Sequence, residues 1–225
     1  MATPYVLLSC AMSVDGYIDD TSADRLLLSN ADDFDRVDAL RADCDAILIG
    51  AGTMRRDNPR LLVNPVARRA ARVARGLPEH PLKVTVTGSG DVDPGLRFWH
   101  CGGEKLVYCP DGTISKLRHR LGRLATVVGT GDEVDLTRVL ADLAGRGVRR
   151  LLVEGGSRLH TQFLTAGLVD EIHLAVAPFF VGQPDAPRFV GAGVFPNDPR
   201  HRMTLAEVRA VGDVALLRYL PRRAT

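Results

Sequence analysis

Apolar and polar positions along this chain alternate between two rhythms. Short unbroken aliphatic runs give way to stretches in which apolar residues recur every three or four positions. The runs read as strands at 5–10, 46–49, 82–86, 105–108, 125–128 and 150–153. The helical rhythm predicts a helix over 29–42, with Ser29 as its cap and Phe34, Val37 and Leu40 on its apolar face. Helices are also predicted over 114–121 and over 135–144, the latter with Leu136, Val139, Leu140 and Leu143 on one side and Gly145 past its end. One or two helical turns over 53–56 stop at Asn58 and Pro59. A long strand over 169–180 and two last strands around Val211, Gly212 and Asp213 complete the series. Repeated strand–helix units predict an α/β fold with a mostly parallel sheet and helices on both faces. The final hairpin predicts an antiparallel edge. No repeat, low-complexity segment or linker interrupts the pattern, so residues 1–225 read as one domain.

The sharpest junction lies where Leu151, Leu152 and Val153 run into Glu154, Gly155, Gly156 and Ser157. A strand there ends at a glycine turn, and a helix is predicted to follow with Ser157 as its cap. Free backbone N–H groups at such a helix start favour a phosphate. An ordinary strand–helix turn with a solvated glutamate reads equally well from this stretch alone. Two other strand ends carry similar chemistry: Ser13, Asp15 and Gly16 after the first, and Gly50, Gly52, Thr53 and Asp57 after the second. Ligands of open α/β sheets bind at the carboxyl ends of strands. Three such ends together point to one extended, phosphate-bearing ligand.

Composition narrows this further. Hydrophobic residues at 45% and charged residues at 25% belong to a globular protein. A net charge of +2 is too mild for nucleic-acid binding but compatible with a small anion. No apolar run is long enough to span a bilayer, and no leader pattern follows Met1. The four cysteines form no CxxC pair, so reduced structural thiols, no metal and a cytoplasmic location are expected. The basic run Arg68, Arg69, Arg72 and Arg75 reads as a solvated helix face or loop. Neither GxGxxG after the first strand, nor a P-loop, GxSxG or HExxH occurs.

The ordered motifs resemble one family. They are Ala11-x-Ser13-x-Asp15-Gly16, the stretch from Asp45 through Gly50, Gly52, Thr53, Asp57 and Pro59 to Leu61, Leu152 to Gly156, and Ala166 to Glu171 with Ala177, Pro178 and Gly182. This arrangement is similar to the reductase domain of the RibD-type riboflavin-biosynthesis enzymes, over about residues 5–182. The resemblance implies a dihydrofolate-reductase-like fold, NADPH as hydride donor, and a homodimer. It implies a ribosylamino-pyrimidine 5′-phosphate as substrate, reduced at C1′ to a ribityl chain. It places Ala11, Leu27, Thr53, Asp57 and the segment 156–162 (Gly156, Ser157, Arg158 and Leu159 foremost) at cofactor positions. It places Arg41, Leu61 and Glu154 at substrate positions. Glu154 and Asp57 are the expected catalytic pair: the first accepts hydrogen bonds from substrate, the second supplies or orders a proton. Arg41 as a surface arginine and Asp57 as a helix stop remain open. Thr87, with Ser89, is expected to reach the adenosine-side phosphate. The apolar strand 174–180 is expected at an interface or in the sheet centre, and His173 on it to be structural.

The departures are specific. Many members have a lysine where this chain has Ser9, an arginine that binds phosphate where it has Asn64, and a substrate-contacting serine where it has Arg25. Loss of two cations is expected to weaken phosphate binding, each charge-assisted bond contributing about 1.5–3 kcal/mol. Phosphate recognition is then relocated, with Arg25 and Asn64 counted among the substrate positions, or the substrate is another pterin- or pyrimidine-like molecule. A non-catalytic nucleotide-binding module is the third alternative. The deaminase signature H-x-E with P-C-x-x-C is absent, so a stand-alone reductase is expected.

Overall fold

The computed structural model describes residues 3–222. The described residues form two compact units, one of Asp38–Leu152 with Thr3 and Pro4, the other of Tyr5–Val37 with residues 153–222.

The first unit is built on parallel strands. These are β2 (Ala46–Gly50), β3 (Leu82–Val86), β4 (Lys105–Cys109) and β5 (Thr126–Gly129), with β6 (Arg150–Val153) beside β2, in the order β5-β4-β3-β2-β6. The aliphatic runs form strands because both of their faces are covered: Ile47, Leu48, Val84, Val107, Leu151 and Leu152 are fully buried. Connections are the helices α2 (Ala51–Asp57), α3 (Val66–Ala74), α4 (Arg97–His100), α5 (Ile114–Leu121) and α6 (Leu136–Gly145). The α6 face is the predicted one, with Leu136, Val139, Leu140 and Leu143 buried and the Asp135 carboxylate capping the Thr137 and Arg138 N–H groups. Gly145 lies inside the helix rather than past it, and the left-handed turn falls to Gly147, φ 87°.

The second unit orders its strands β1-β7-β9-β8. Here β1 (Tyr5–Ser13) and β7 (Glu171–Ala177) are parallel, and β9 (Val214–Leu220) pairs antiparallel with both β7 and β8 (Thr204–Val211). The predicted hairpin is present, with Gly212 at φ 61° in its two-residue turn. A Cβ on Gly212 would come within 2.5 Å of the Asn30 amide nitrogen, so space as well as φ demands glycine. β7 is flanked by β1 and β9, so its apolar run fills the interior of the sheet and offers no free edge for an interface. The strand also ends at Ala177, and residues 178–180 leave it.

Helix α1 (Ala31–Asp43) differs from its sequence reading. Asn30, not Ser29, supplies the cap, its Oδ1 accepting the Asp33 N–H at 2.8 Å, while the Ser29 hydroxyl donates to the Asp33 carboxylate at 2.5 Å. The buried side chains are Asp33, Asp38 and Ala42, whereas Phe34 is exposed. The Asp33 charge is met by the Arg36 guanidinium at 2.7 Å, so the acid can be buried and the phenylalanine need not be. In α3 the basic run is only partly solvated. Arg72 is fully buried and donates to the carbonyls of Ala42, Cys44 and Pro78, tying the helix to the end of α1.

Candidate functional site

In the second unit the glycine turn opens α7 (Ser157–Thr165). Gly156, not Ser157, holds the cap position, and no side chain caps the helix. The first helical bond runs from the His160 N–H to the Gly156 carbonyl at 3.1 Å, leaving the N–H groups of Ser157, Arg158 and Leu159 ahead of the ladder. Gly155 is fixed by packing: a Cβ there would lie 2.3 Å from Leu159 Cδ2 and 2.9 Å from its Cβ. Leu159 is buried beneath the turn, so only its backbone can face a ligand, while Arg158 is exposed and Glu154 half-buried. An uncapped helix start behind a glycine pair fits the diphosphate of a dinucleotide.

The far side of α7 is held by residues 189–193. His160 Nδ1 lies 3.1 Å from the Phe189 carbonyl, and the Thr161 hydroxyl accepts the Gly191 N–H at 2.8 Å. Desolvation brings the His160 imidazole down to about 4, so it stays neutral at physiological pH.

The ends of β1 and β7 lie side by side, Ser13 opposite Ala177. Asp15 joins the loops that follow them. Its carboxylate accepts the Ser13 hydroxyl at 2.5 Å and the N–H groups of Val181 and Gly182 at 3.1 and 2.8 Å. Desolvation pushes this carboxyl up, but those hydrogen bonds outweigh it and hold it below its usual range. Arg188 adds a second brace, its guanidinium 4.4 Å above the Tyr17 ring and 2.8 Å from the Tyr17 hydroxyl. Ala11 lies on β1, half-buried; Arg25 and Leu27 lie exposed in the irregular segment before α1.

The first unit carries the remaining positions. Thr53 and Asp57 are on α2, both half-buried, with Asp57 its last residue. The helix stops at Asn58 in the left-handed conformation, φ 41°. Asn58 is clamped from α4, its Oδ1 accepting the Arg97 N–H at 2.7 Å and its carbonyl the Arg97 Nε–H at 3.2 Å. Leu61 is also left-handed, φ 49°, and buried. A bulky residue there carries about 1–3 kcal/mol of strain, of the kind that collects at binding sites. Arg41 reaches the same segment, its Nη1 3.5 Å from the Leu62 carbonyl. Asn64 donates both its backbone N–H and its amide to Asp38, at 2.8 and 2.7 Å, and Arg68 joins that carboxylate at 3.4 Å. Thr87 is buried and its hydroxyl accepts the Gly90 N–H at 3.1 Å, closing a turn after β3.

Within each unit the sequence positions therefore group: Glu154 to Leu159 at one turn, and Arg41, Leu61 and Asn64 around one segment. Sequence reasoning missed Asp38 and Arg97, which set the conformation of residues 58–64. Asp38 was detectable only as an acid out of step with the α1 pattern. Among the described residues, no cluster of His, Cys, Asp or Glu could hold a metal ion, and no helix is long and apolar enough to cross a membrane.

Comparison with known proteins gives this arrangement a relative. The chain is 34% identical to the 2,5-diamino-6-ribosylamino-4(3H)-pyrimidinone 5′-phosphate reductase of Methanothermobacter thermautotrophicus, over 96% of this chain and 97% of that one. It is 37% identical to the reductase of the same name from Archaeoglobus fulgidus, over 82% and 84% of the two chains. Among solved structures, Acinetobacter baumannii RibD superposes with a TM-score of 0.80 at 23% identity, covering 98% of this chain and 58% of that one. A pyrimidine reductase-like protein of Corynebacterium diphtheriae gives 0.77 at 22% identity, covering 98% and 93%. The fold is thus the dihydrofolate-reductase-like α/β fold of those neighbours. The sequence profile of the RibD C-terminal domain matches residues 4–217, and the chain belongs to that family.

Proposed function

We propose that this protein is an NADPH-dependent reductase of a ribosylamino-pyrimidine 5′-phosphate, acting in riboflavin biosynthesis. The carrying observation is the near end-to-end match to a stand-alone reductase, over 96% of this chain and 97% of the relative. The archaeal relatives are named for the 2,5-diaminopyrimidinone, and the uracil analogue, 5-amino-6-(5-phosphoribosylamino)uracil, differs from it at one ring position. Both have the reacting ribosylamine in common. Family membership implies a nicotinamide cofactor, with NADPH the specific donor in this reading. The profile match through both compact units supports treating them as one reductase domain. The four free thiols agree with a cytoplasmic location, and the chain is taken to act as a homodimer.

The cofactor supplies the hydride. The chain's own residues then have separable tasks. The N–H groups of Ser157, Arg158 and Leu159 hold the diphosphate. Ala11, Leu27 and Thr53 line the cofactor, and Thr87 contributes through the loop it closes. Glu154 accepts hydrogen bonds from an exocyclic amino group or the sugar hydroxyls, and Leu61 packs against the substrate. Opening of the ribose gives an imine at C1′. Hydride adds to that carbon and a proton to the nitrogen, and Asp57 supplies or orders the proton. Arg41 offers a guanidinium fork to the phosphate, with Arg25 and Asn64 in the positions where relatives place other groups.

Replacing Glu154 separates substrate handling from cofactor binding. Glu154→Ala is expected to leave NADPH affinity within about twofold and to lower turnover by roughly 100-fold or more, as for loss of a charged hydrogen-bonding partner. Equal loss of NADPH binding and turnover removes Glu154 from the substrate role.

A further inference from the structure

The segment between α2 and α3 has no scaffold of its own. Residues 58–65 form neither helix nor strand, so side chains from elsewhere in the unit meet their main-chain groups. The Val63 N–H donates to His80 Nδ1 at 3.3 Å, and the Val63 carbonyl accepts from Arg69 at 3.2 Å. The Leu62 carbonyl accepts from Arg41 at 3.5 Å. Two anchors hold a whole residue rather than one atom. Arg97 holds Asn58 through its side chain and its carbonyl, and Asp38 holds Asn64 through its N–H and its amide. Leu61, left-handed and buried, lies midway between them. A strained backbone of this kind persists only where its surroundings over-determine it.

The two anchors are not equal. Arg97 is exposed, and water competes for the groups it holds. Asp38 is only 5% exposed, so its hydrogen bonds act in a low dielectric. A buried carboxylate is costly unless it is met, and what meets this one is the segment and the helix that follows it. Its Oδ2 accepts both Asn64 donors, at 2.8 and 2.7 Å. Its Oδ1 faces Arg68 of α3 at 3.4 Å, a longer and weaker contact. The acceptor geometry of Asp38 therefore matters more than its charge.

We infer that Asp38 is a positioning residue for substrate binding: by holding Asn64 it keeps the left-handed turn at Leu61 and so sets the surface that Leu61 and Asn64 present. The inference rests on the reductase reading above, which puts Leu61 and Asn64 at the substrate. Asp38 acts only through Asn64 and has no part in the proton or hydride steps. Contacts made alike in the ground state and the transition state appear in KM and not in kcat, and the loss of Asp38 is read there.

The test is steady-state kinetics with NADPH and 2,5-diamino-6-ribosylamino-4(3H)-pyrimidinone 5′-phosphate, beside NADPH affinity by fluorescence titration and melting by circular dichroism. Asp38→Ala is expected to raise KM about tenfold or more, with kcat within about threefold and NADPH affinity within about twofold of wild type. Asp38→Asn keeps an oxygen that can accept both Asn64 donors and is expected to hold KM within about threefold. Asp38→Glu keeps the charge but lengthens the arm, and is expected to raise KM towards the alanine value. The Asn and Glu variants decide the matter if Asp38→Ala does not fold. An unchanged KM in Asp38→Glu and in a folded Asp38→Ala overturns the inference and leaves the reductase reading standing. So does a KM in Asp38→Asn as high as in Asp38→Glu, or a loss of NADPH affinity in step with KM, which marks a general structural role. Wild type that turns over neither this pyrimidine nor its uracil analogue overturns the reductase reading, and the inference with it.

Discussion

Glu171 and His160 show how single buried polar groups set the acid stability of this protein. Glu171 is nearly fully buried, yet its carboxylate is met by His173 Nε2 at 2.8 Å, by the Tyr5 hydroxyl at 2.9 Å and by Arg218 Nε. The His173 hydrogen bond leads in holding it down to about 2, with Tyr5 and Arg218 adding to it. Its contribution is present above the ordinary value of 4.5 and is lost as pH falls towards 2. His160, held near 4 by desolvation, binds its proton less readily folded than unfolded. Between its ordinary 6.5 and 4 the unfolded chain holds more protons, so stability falls as pH drops through that window. The predicted urea midpoint therefore declines from about pH 6.5 downward, in two overlapping stages. His160→Gln flattens the upper stage and Glu171→Gln the lower, the latter costing about 3 kcal/mol at neutral pH. A wild-type midpoint that stays level from pH 6.5 to 4.5 contradicts the assignment for His160. His173 was legible as structural from its strand. The other partners of Glu171, Tyr5 and Arg218, were not, because they come from strands far apart in sequence.

At the scale of elements, α7 depends on the pair Gly155 and Leu159. A methyl group at 155 would meet the Leu159 side chain at 2.3 Å, so Gly155→Ala must shift the turn or the helix. Overpacking of this kind costs about 1–3 kcal/mol. Weaker NADPH binding is expected with it, measured by fluorescence titration. Leu159→Ala in the same chain opens space and should restore part of the affinity; no recovery shows that the turn is not set by this contact. The aliphatic runs were readable because a strand buried on both faces needs little else. The start of α1 was not, since Ser29 and Asn30 are both good caps and only the three-dimensional position of Asp33 chooses between them. Lys83 was equally hidden. It is buried in β3, held by the Phe98 and Cys101 carbonyls, and desolvation lowers it to about 7. Nothing in the run 82–86 announces that two carbonyls 15 and 18 residues later will receive it.

At the scale of the whole molecule, motif order carried the reading further than any motif did. The Glu154 turn alone was ambiguous, but its order with Ser13, Asp15, Thr53, Asp57 and Leu61 selected the family that the profile match over residues 4–217 establishes. Sequence also exposed the departures at Ser9, Arg25 and Asn64 without explaining them. The structure shows Asn64 engaged by Asp38 with Arg68 beside it, which accounts for its conformation; Arg69 and Arg41 also reach this segment, and Arg41 is the cation proposed to meet the phosphate. The most direct test of the reductase account is NADPH oxidation with 2,5-diamino-6-ribosylamino-4(3H)-pyrimidinone 5′-phosphate, run beside its uracil analogue with the product identified by mass. The account predicts one NADPH consumed per ribitylamino product formed with at least one of the two. NADPH binding without oxidation in the presence of either pyrimidine contradicts it.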